Sequence, residues 1–217
     1  MKNDNERLRR LCVMALLCAM AYAAVALIRI PAVAFLKYEP KDVLLVIGGF
    51  LLGPLDGAIM CAVVAAVEAV TISDTGAIGL LMNVLSSCLF VCPAAILYRR
   101  HRTIGGAVAG LGVGSLCATA GMLLWNWLIT PLYMGVPRST VVGMLLPVFL
   151  PFNLLKCALN ATLAVLLYKG VSRALRAARL LPQSSEGKTG RRFPAWLPAL
   201  FVFATLVVIL LVWSGKI

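Results

Sequence analysis

The feature that most constrains this chain is a series of long apolar runs that carry no charge at all. They extend from Leu11 to Ile28, Ala77 to Tyr98, Thr103 to Val136, Ser139 to Leu155 and Phe193 to Trp213. Each is comparable with the roughly 20 residues a helix needs to cross a bilayer. So many runs cannot all be core helices of a small water-soluble fold; they predict a polytopic helix bundle whose solvent is the bilayer.

Composition agrees, with 62% hydrophobic residues and 13% charged, against about 25% charged in a typical soluble domain. The net charge of +12 could suggest nucleic acid, but its placement excludes that reading. Lys2, Arg7, Arg9 and Arg10 precede the first run. Arg99, Arg100 and Arg102 lie mid-chain, and Lys169, Arg173, Arg176, Arg179, Lys188, Arg191 and Arg192 follow the sixth helix. With the N-terminus in the cytoplasm, all of these fall on the cytoplasmic side, as the positive-inside rule requires. The first run leads straight into more apolar sequence, so it reads as a permanent span rather than a cleaved signal. Cys12, Cys18, Cys61, Cys88, Cys92, Cys117 and Cys157 all sit in apolar segments without CxxC spacing and read as small buried thiols, not a disulfide or metal framework.

The expected fold is all-α: a membrane bundle of six transmembrane helices over residues 1–181, a polar basic linker at 182–192, and an additional hydrophobic segment at 193–217. The last is either a seventh span or an interfacial anchor; if it spans, Lys216 lies outside. Span one ends in a charged exterior loop, Arg29 to Asp42. Span two, Val43 to Leu52, is short, and its Gly48-Gly49 pair permits close contact or local unwinding. Gly53 to Gly57 then forms a turn. Span three covers Ala58 to Ile72, followed by an exterior turn at Ser73 to Gly76, and span four runs from Ile78 to Tyr98. Span five starts near Ile104, carries Gly110 and Gly114 at a spacing suited to tight packing, and ends between Trp125 and Ile129. Pro131, Pro137, Pro147 and Pro151 are expected to break up the next region, so that helix six starts near Pro151.

Polar groups inside such spans are costly and tend to face a cavity or one another. Asn153, Lys156 and Asn160, at i, i+3 and i+7, share one helix face within about 60 degrees. Thr119, Asn126 and Thr130 share a face of span five beside Trp125 and Trp127, and Asn83 lies early in span four. Two readings stand: a pocket open to the exterior, where amides and one ammonium meet a flat polar ligand covered by Trp, Tyr and Met side chains, or hydrogen bonds that only hold the bundle together. Glu68, read as the only acid deep in a span, is either a proton relay or a structural partner for Lys156 or a backbone amide. Ala15, Ala19 and Ala23 form a smooth stripe that suits either a partner subunit or the protein's own helices.

Several ordered motifs resemble the substrate-binding S components of energy-coupling factor transporters, in particular the riboflavin-specific type. They are Tyr38-Glu39-Pro40-Lys41-Asp42, Ile47-Gly48-Gly49-Phe50-Leu51-Leu52-Gly53-Pro54, Ser73-Asp74-Thr75-Gly76, Leu81-Met82-Asn83-Val84, Trp125-Asn126 through Met134-Gly135-Val136-Pro137, and Leu150-Pro151-Phe152-Asn153-Leu154-Leu155-Lys156, within Leu8 to Pro182. The resemblance implies a six-helix bundle in the bacterial cell membrane. The bundle would bind riboflavin from outside and dock through helix one onto a transmembrane coupling subunit driven by two ATPase subunits. By carry-over, Asn126, Asn153 and Lys156 would hydrogen-bond the vitamin, with Asn83 and Met82 beside them, and Tyr38 and Glu39 would lie in a capping loop. Ala15, Ala19 and Ala23 would be the docking stripe. Riboflavin would be transported ligand, not cofactor. The segment from Phe193 to Trp213 departs from the family pattern.

An enzyme is not expected, because paired carboxylates, a metal-ligand cluster, a nucleotide-binding glycine loop and a Ser-His arrangement are all missing and the one histidine, His101, sits in a basic loop. Two rivals remain: the same fold with another vitamin or flavin, and a secondary transporter working alone with Glu68 as its proton carrier.

Overall fold

The computed structural model describes residues 2–33, 36–72 and 76–181. The extra segment at 193–213, the linker before it and the Ser73-Asp74-Thr75 turn lie outside the described residues. The chain folds as α1 (Lys2–Leu27), a hairpin of β1 (Ile30–Val33) and β2 (Leu36–Tyr38), α2 (Lys41–Leu52), α3 (Pro54–Thr71), α4 (Gly76–Arg100) and α5 (Ile104–Met134). A last continuous stretch comprises α6 (Arg138–Met144), a π-helical turn (Leu145–Phe149) and α7 (Leu150–Ala177). Among the described residues, five stretches, α1, α3, α4, α5 and the composite Arg138–Ala177, are long and apolar enough to cross a membrane.

The exception, α2, explains the architecture. Its twelve residues rise about 18 Å, well short of a hydrocarbon layer of roughly 30 Å. Residues Lys41 through Gly49 are all buried, with α1, α3, α4 and α7 packed around them. A helix apolar on every side belongs at the centre of a bundle, and here Val43 to Ile47 join Leu17, Met60, Val64, Phe90, Leu111 and Ala161 in one core. The Gly48-Gly49 pair stays helical and serves close contact rather than unwinding.

Three sequence expectations are corrected. The charged exterior loop ends sooner than expected: Ile30–Val33 and Leu36–Tyr38 pair as an antiparallel hairpin, Ile30 opposite Tyr38, and Lys41 and Asp42 are the first turn of α2, each 1% exposed. The turn expected at 53–57 contracts to Gly53, whose φ of 115° only glycine adopts easily. Pro54 already occupies the first turn of α3, where its missing amide hydrogen costs nothing. The prolines interrupt the chain less than expected. α5 runs through Pro131 to Met134 and stops at Gly135, in the left-handed conformation. Pro147 is absorbed in the π-helical turn, where the Leu150 amide donates to the Leu145 carbonyl five residues back, relieving the clash a proline makes with the carbonyl four residues before it.

The expected tight packing of span five holds. A Cβ added at Gly110 would stand 2.6 Å from the Ala94 carbonyl oxygen, and one at Gly114 would strike that of Phe90. α5 thus lies directly against the backbone of α4, the most extensive helix pair in the bundle.

The two ends differ. At one, the Arg10 guanidinium grips both oxygens of Asp56 at 2.5 and 2.6 Å, and Arg9 donates to the Arg179 carbonyl at 2.6 Å. Phe50, Tyr98 and Tyr168 cluster there too, the two phenol oxygens 3.1 Å apart. This end gathers the start of α1 and the ends of α4 and α7, and with them Arg7, Arg9, Arg10, Arg99, Arg100, Arg173 and Arg176. The other carries the hairpin.

Candidate functional site

Below the hairpin, the first turn of α2 meets α3, α4 and α7 in a buried polar network. Asp42 is its hub. Its Oδ1 accepts from Ser87 Oγ at 2.6 Å, while Oδ2 stands 3.2 Å from Lys156 Nζ and accepts from Asn160 Nδ2 at 3.3 Å. Lys156 also donates to Ser86 Oγ at 3.2 Å. Asn160 Oδ1 in turn accepts from the Tyr38 hydroxyl at 2.9 Å, tying the hairpin to α7. Burial, and then the Asp42 carboxylate, raise the Tyr38 phenol above its ordinary range, so it remains a neutral donor.

Beside this lies a second buried pair. Lys41 Nζ donates to Glu68 Oε2 at 2.5 Å, and Asn83 Nδ2 donates to the same oxygen at 3.3 Å. Glu39 bridges outward, 3.5 Å from Lys41 and 3.4 Å from Arg29, whose Nη1 also donates to the Ile72 carbonyl at the end of α3. Glu68 is therefore not a lone acid, and it pairs with Lys41 rather than with Lys156. Both pairs are nearly out of solvent, with side-chain exposures of 1% and 2% for Lys41 and Glu68, and 13% and 1% for Lys156 and Asp42. Charges so placed persist only when paired and hydrogen-bonded.

The structure thus brings together Tyr38 of β2, Glu39 of the connection to α2, Asn83 of α4 and Lys156 of α7. Asn126 and Asn153 are also buried, but each spends its amide on its own helix: Asn126 Nδ2 donates to the Met122 carbonyl and Asn153 Nδ2 to that of Phe149, both at 2.7 Å. Thr130 Oγ1 donates to Asn126 Oδ1 at 2.8 Å. Thr130 also lines a small open cleft between α4 and α5 with Met82, Ile78, Trp125, Ile129 and Tyr133. Trp127 lies outside it, under the Arg138 guanidinium at 5.0 Å.

Sequence reasoning missed Lys41, Asp42, Ser86 and Ser87. A signal for the first two was available: an apolar run as short as Val43 to Leu52 cannot reach both faces of a bilayer, so whatever begins it must lie deep. Nothing in the sequence marks the two serines apart from their neighbours.

On α1, Val13, Leu17, Ala21 and Val25 are wholly buried. Ala15, Ala19 and Ala23, two residues on and therefore about 200 degrees around the helix, are exposed. Among the described residues, no helix covers the alanine stripe.

Residues 9–168 match a family model described as the substrate-specific component of ECF transporters. The fold is similar to a solved structure described as the S component of a bacterial ECF transporter, at TM-score 0.66 and 23% identity, covering 78% of this chain and 99% of that one. That likeness speaks for the fold. No curated protein sequence matches the chain.

Proposed function

This chain belongs to the substrate-specific components of ECF transporters, integral membrane proteins that work with the transporter's membrane and ATPase modules, and from that premise we propose that it captures riboflavin at the hairpin end, facing the exterior. The observation that carries the proposal is the buried network beneath the hairpin. Ammonium, carboxylate, amide and hydroxyl groups from α2, α3, α4, α7 and β2 converge there, and Met82, Trp125 and Tyr133 wall a cleft between α4 and α5. A flat heterocycle with alternating carbonyl and ring-nitrogen groups needs both surfaces: donors and acceptors at its edge and apolar or aromatic cover over its faces. The riboflavin-type motifs around Tyr38, Asn126 and Asn153 supply the ligand's name.

Lys156, Asn153, Asn126 and Asn83 are assigned to the ligand's polar edge, Met82 to its face, and Tyr38 and Glu39 to the cap. Ala15, Ala19 and Ala23 are assigned to the coupling subunit, supported by their exposure on the face of α1 opposite its buried one. The basic end faces the cytoplasm, supported by the positive-inside rule.

The test is to purify the protein from cells grown with riboflavin. The expected result is a copurifying yellow chromophore whose flavin fluorescence is quenched. A colourless protein that also ignores added riboflavin would end the assignment.

A further inference from the structure

Each buried cation of the network stands against its own carboxylate. Lys156 faces Asp42 at 3.2 Å and Lys41 faces Glu68 at 2.5 Å, while Arg29 and Glu39 pair at the hairpin at 3.4 Å. Cations and anions balance, so the network carries no net charge. At Lys156 that balance depends on one residue. Asp42 is 1% exposed, and its two oxygens hold Ser87, Asn160 and the ammonium together. It is both the countercharge of Lys156 and the anchor that fixes where the ammonium sits.

Charges separated from water act strongly and over longer distances than they do in bulk solvent. A buried ammonium without its carboxylate would draw in any ligand that brought a phosphate. With the carboxylate beside it, the same ammonium offers hydrogen bonds but no net attraction for a phosphate brought into the site. We infer that Asp42 is a specificity-determining residue: by neutralising Lys156 it makes the site select an uncharged ligand over the phosphate-bearing form of the same molecule. This rests on the placement of Lys156 in the ligand site above, and it concerns discrimination rather than binding itself.

The experiment titrates the full chain in detergent with riboflavin and with riboflavin 5′-phosphate, following flavin fluorescence. Wild-type protein is expected to prefer riboflavin by at least tenfold. Asp42→Asn keeps the size and most of the hydrogen bonding but exposes the Lys156 charge, and should shrink that preference at least tenfold. Asp42→Glu should retain it, and the double variant Asp42→Asn with Lys156→Gln, neutral again, should restore it. A ratio that Asp42→Asn leaves unchanged, or that Asp42→Glu lowers equally, overturns the inference. Should Asp42→Asn fail to fold, Lys156→Gln in the otherwise wild-type chain is the second handle: it leaves Asp42 unopposed and should widen the preference, and an unchanged or narrowed ratio again overturns the inference. Wild-type protein that binds neither flavin defeats the riboflavin reading itself, whereas riboflavin binding with a ratio indifferent to Asp42 defeats only this inference.

Discussion

Lys41 and Lys156 sit in similar company but have different tasks. Lys41 is 1% exposed and is held between Glu68 and Glu39, so its contribution is to the bundle. Removing one partner of such a pair leaves a buried charge uncompensated, at a cost of about 3–5 kcal/mol, whereas replacing both by apolar groups is often neutral. Lys41→Met should therefore lower the unfolding temperature in detergent markedly, and Lys41→Met combined with Glu68→Leu should recover most of the loss. A double variant no better than the single would show that the pair contributes nothing as a pair. Lys156 is less enclosed, and its ammonium also reaches Ser86 near the base of the site. Lys156→Ala and Asn153→Ala should each weaken riboflavin binding by about 1–3 kcal/mol if they leave polar groups of the ligand unpaired, read as a fluorescence titration. Unchanged affinity in both would assign them to the bundle alone.

At the scale of elements, the long spans were legible because a charge-free run of twenty residues has few other destinations. The polar stripe Asn153, Lys156 and Asn160 was legible because helical periodicity places those positions together whatever surrounds them. What periodicity could not supply was depth. Lys41 and Asp42 look like loop residues beside Glu39 and Pro40, and only the packing of α1, α3, α4 and α7 around a short α2 draws them inside. The π-helical turn at Leu145–Phe149 was hidden for a related reason: a proline signals a break, but a neighbouring wider turn can accommodate it. On α1, Val13, Leu17, Ala21 and Val25 fill the inner face, and Ala15, Ala19 and Ala23 stay exposed among the described residues. Small residues let a second helix approach closely, so Ala19→Trp should abolish uptake by cells that contain the coupling module and leave riboflavin affinity within twofold. Loss of binding together with uptake would place the stripe in the fold rather than at an interface.

For the whole molecule, the remaining question is what drives the ligand across, and the path between the two ends bears on it. A proton-coupled carrier working alone needs ionisable groups that relay charge through the bilayer. Glu68 would have to begin that relay, but it is already engaged by Lys41 and Asn83. Along the buried face of α3 toward the basic end come Ala65, Val64, Cys61, Met60 and Gly57 before the next acid, Asp56. The two acids stand twelve positions apart on the helix, about 18 Å, and Asp56 is itself clasped by Arg10 through both oxygens. Alongside run the apolar residues of α2, Val43 to Ile47, all buried. Among the described residues, then, the buried face of α3 passes from one charge cluster to the other through apolar residues, which suits a subunit that binds ligand and leaves the energy to its ATPase partners. Cells that express this chain but lack those ATPases should bind riboflavin at their surface and accumulate none, and Glu68→Gln should change affinity or stability without being the step that separates uptake from no uptake. Accumulation that survives loss of the ATPases, collapses when the proton gradient is dissipated and is abolished by Glu68→Gln would instead establish a carrier that works alone.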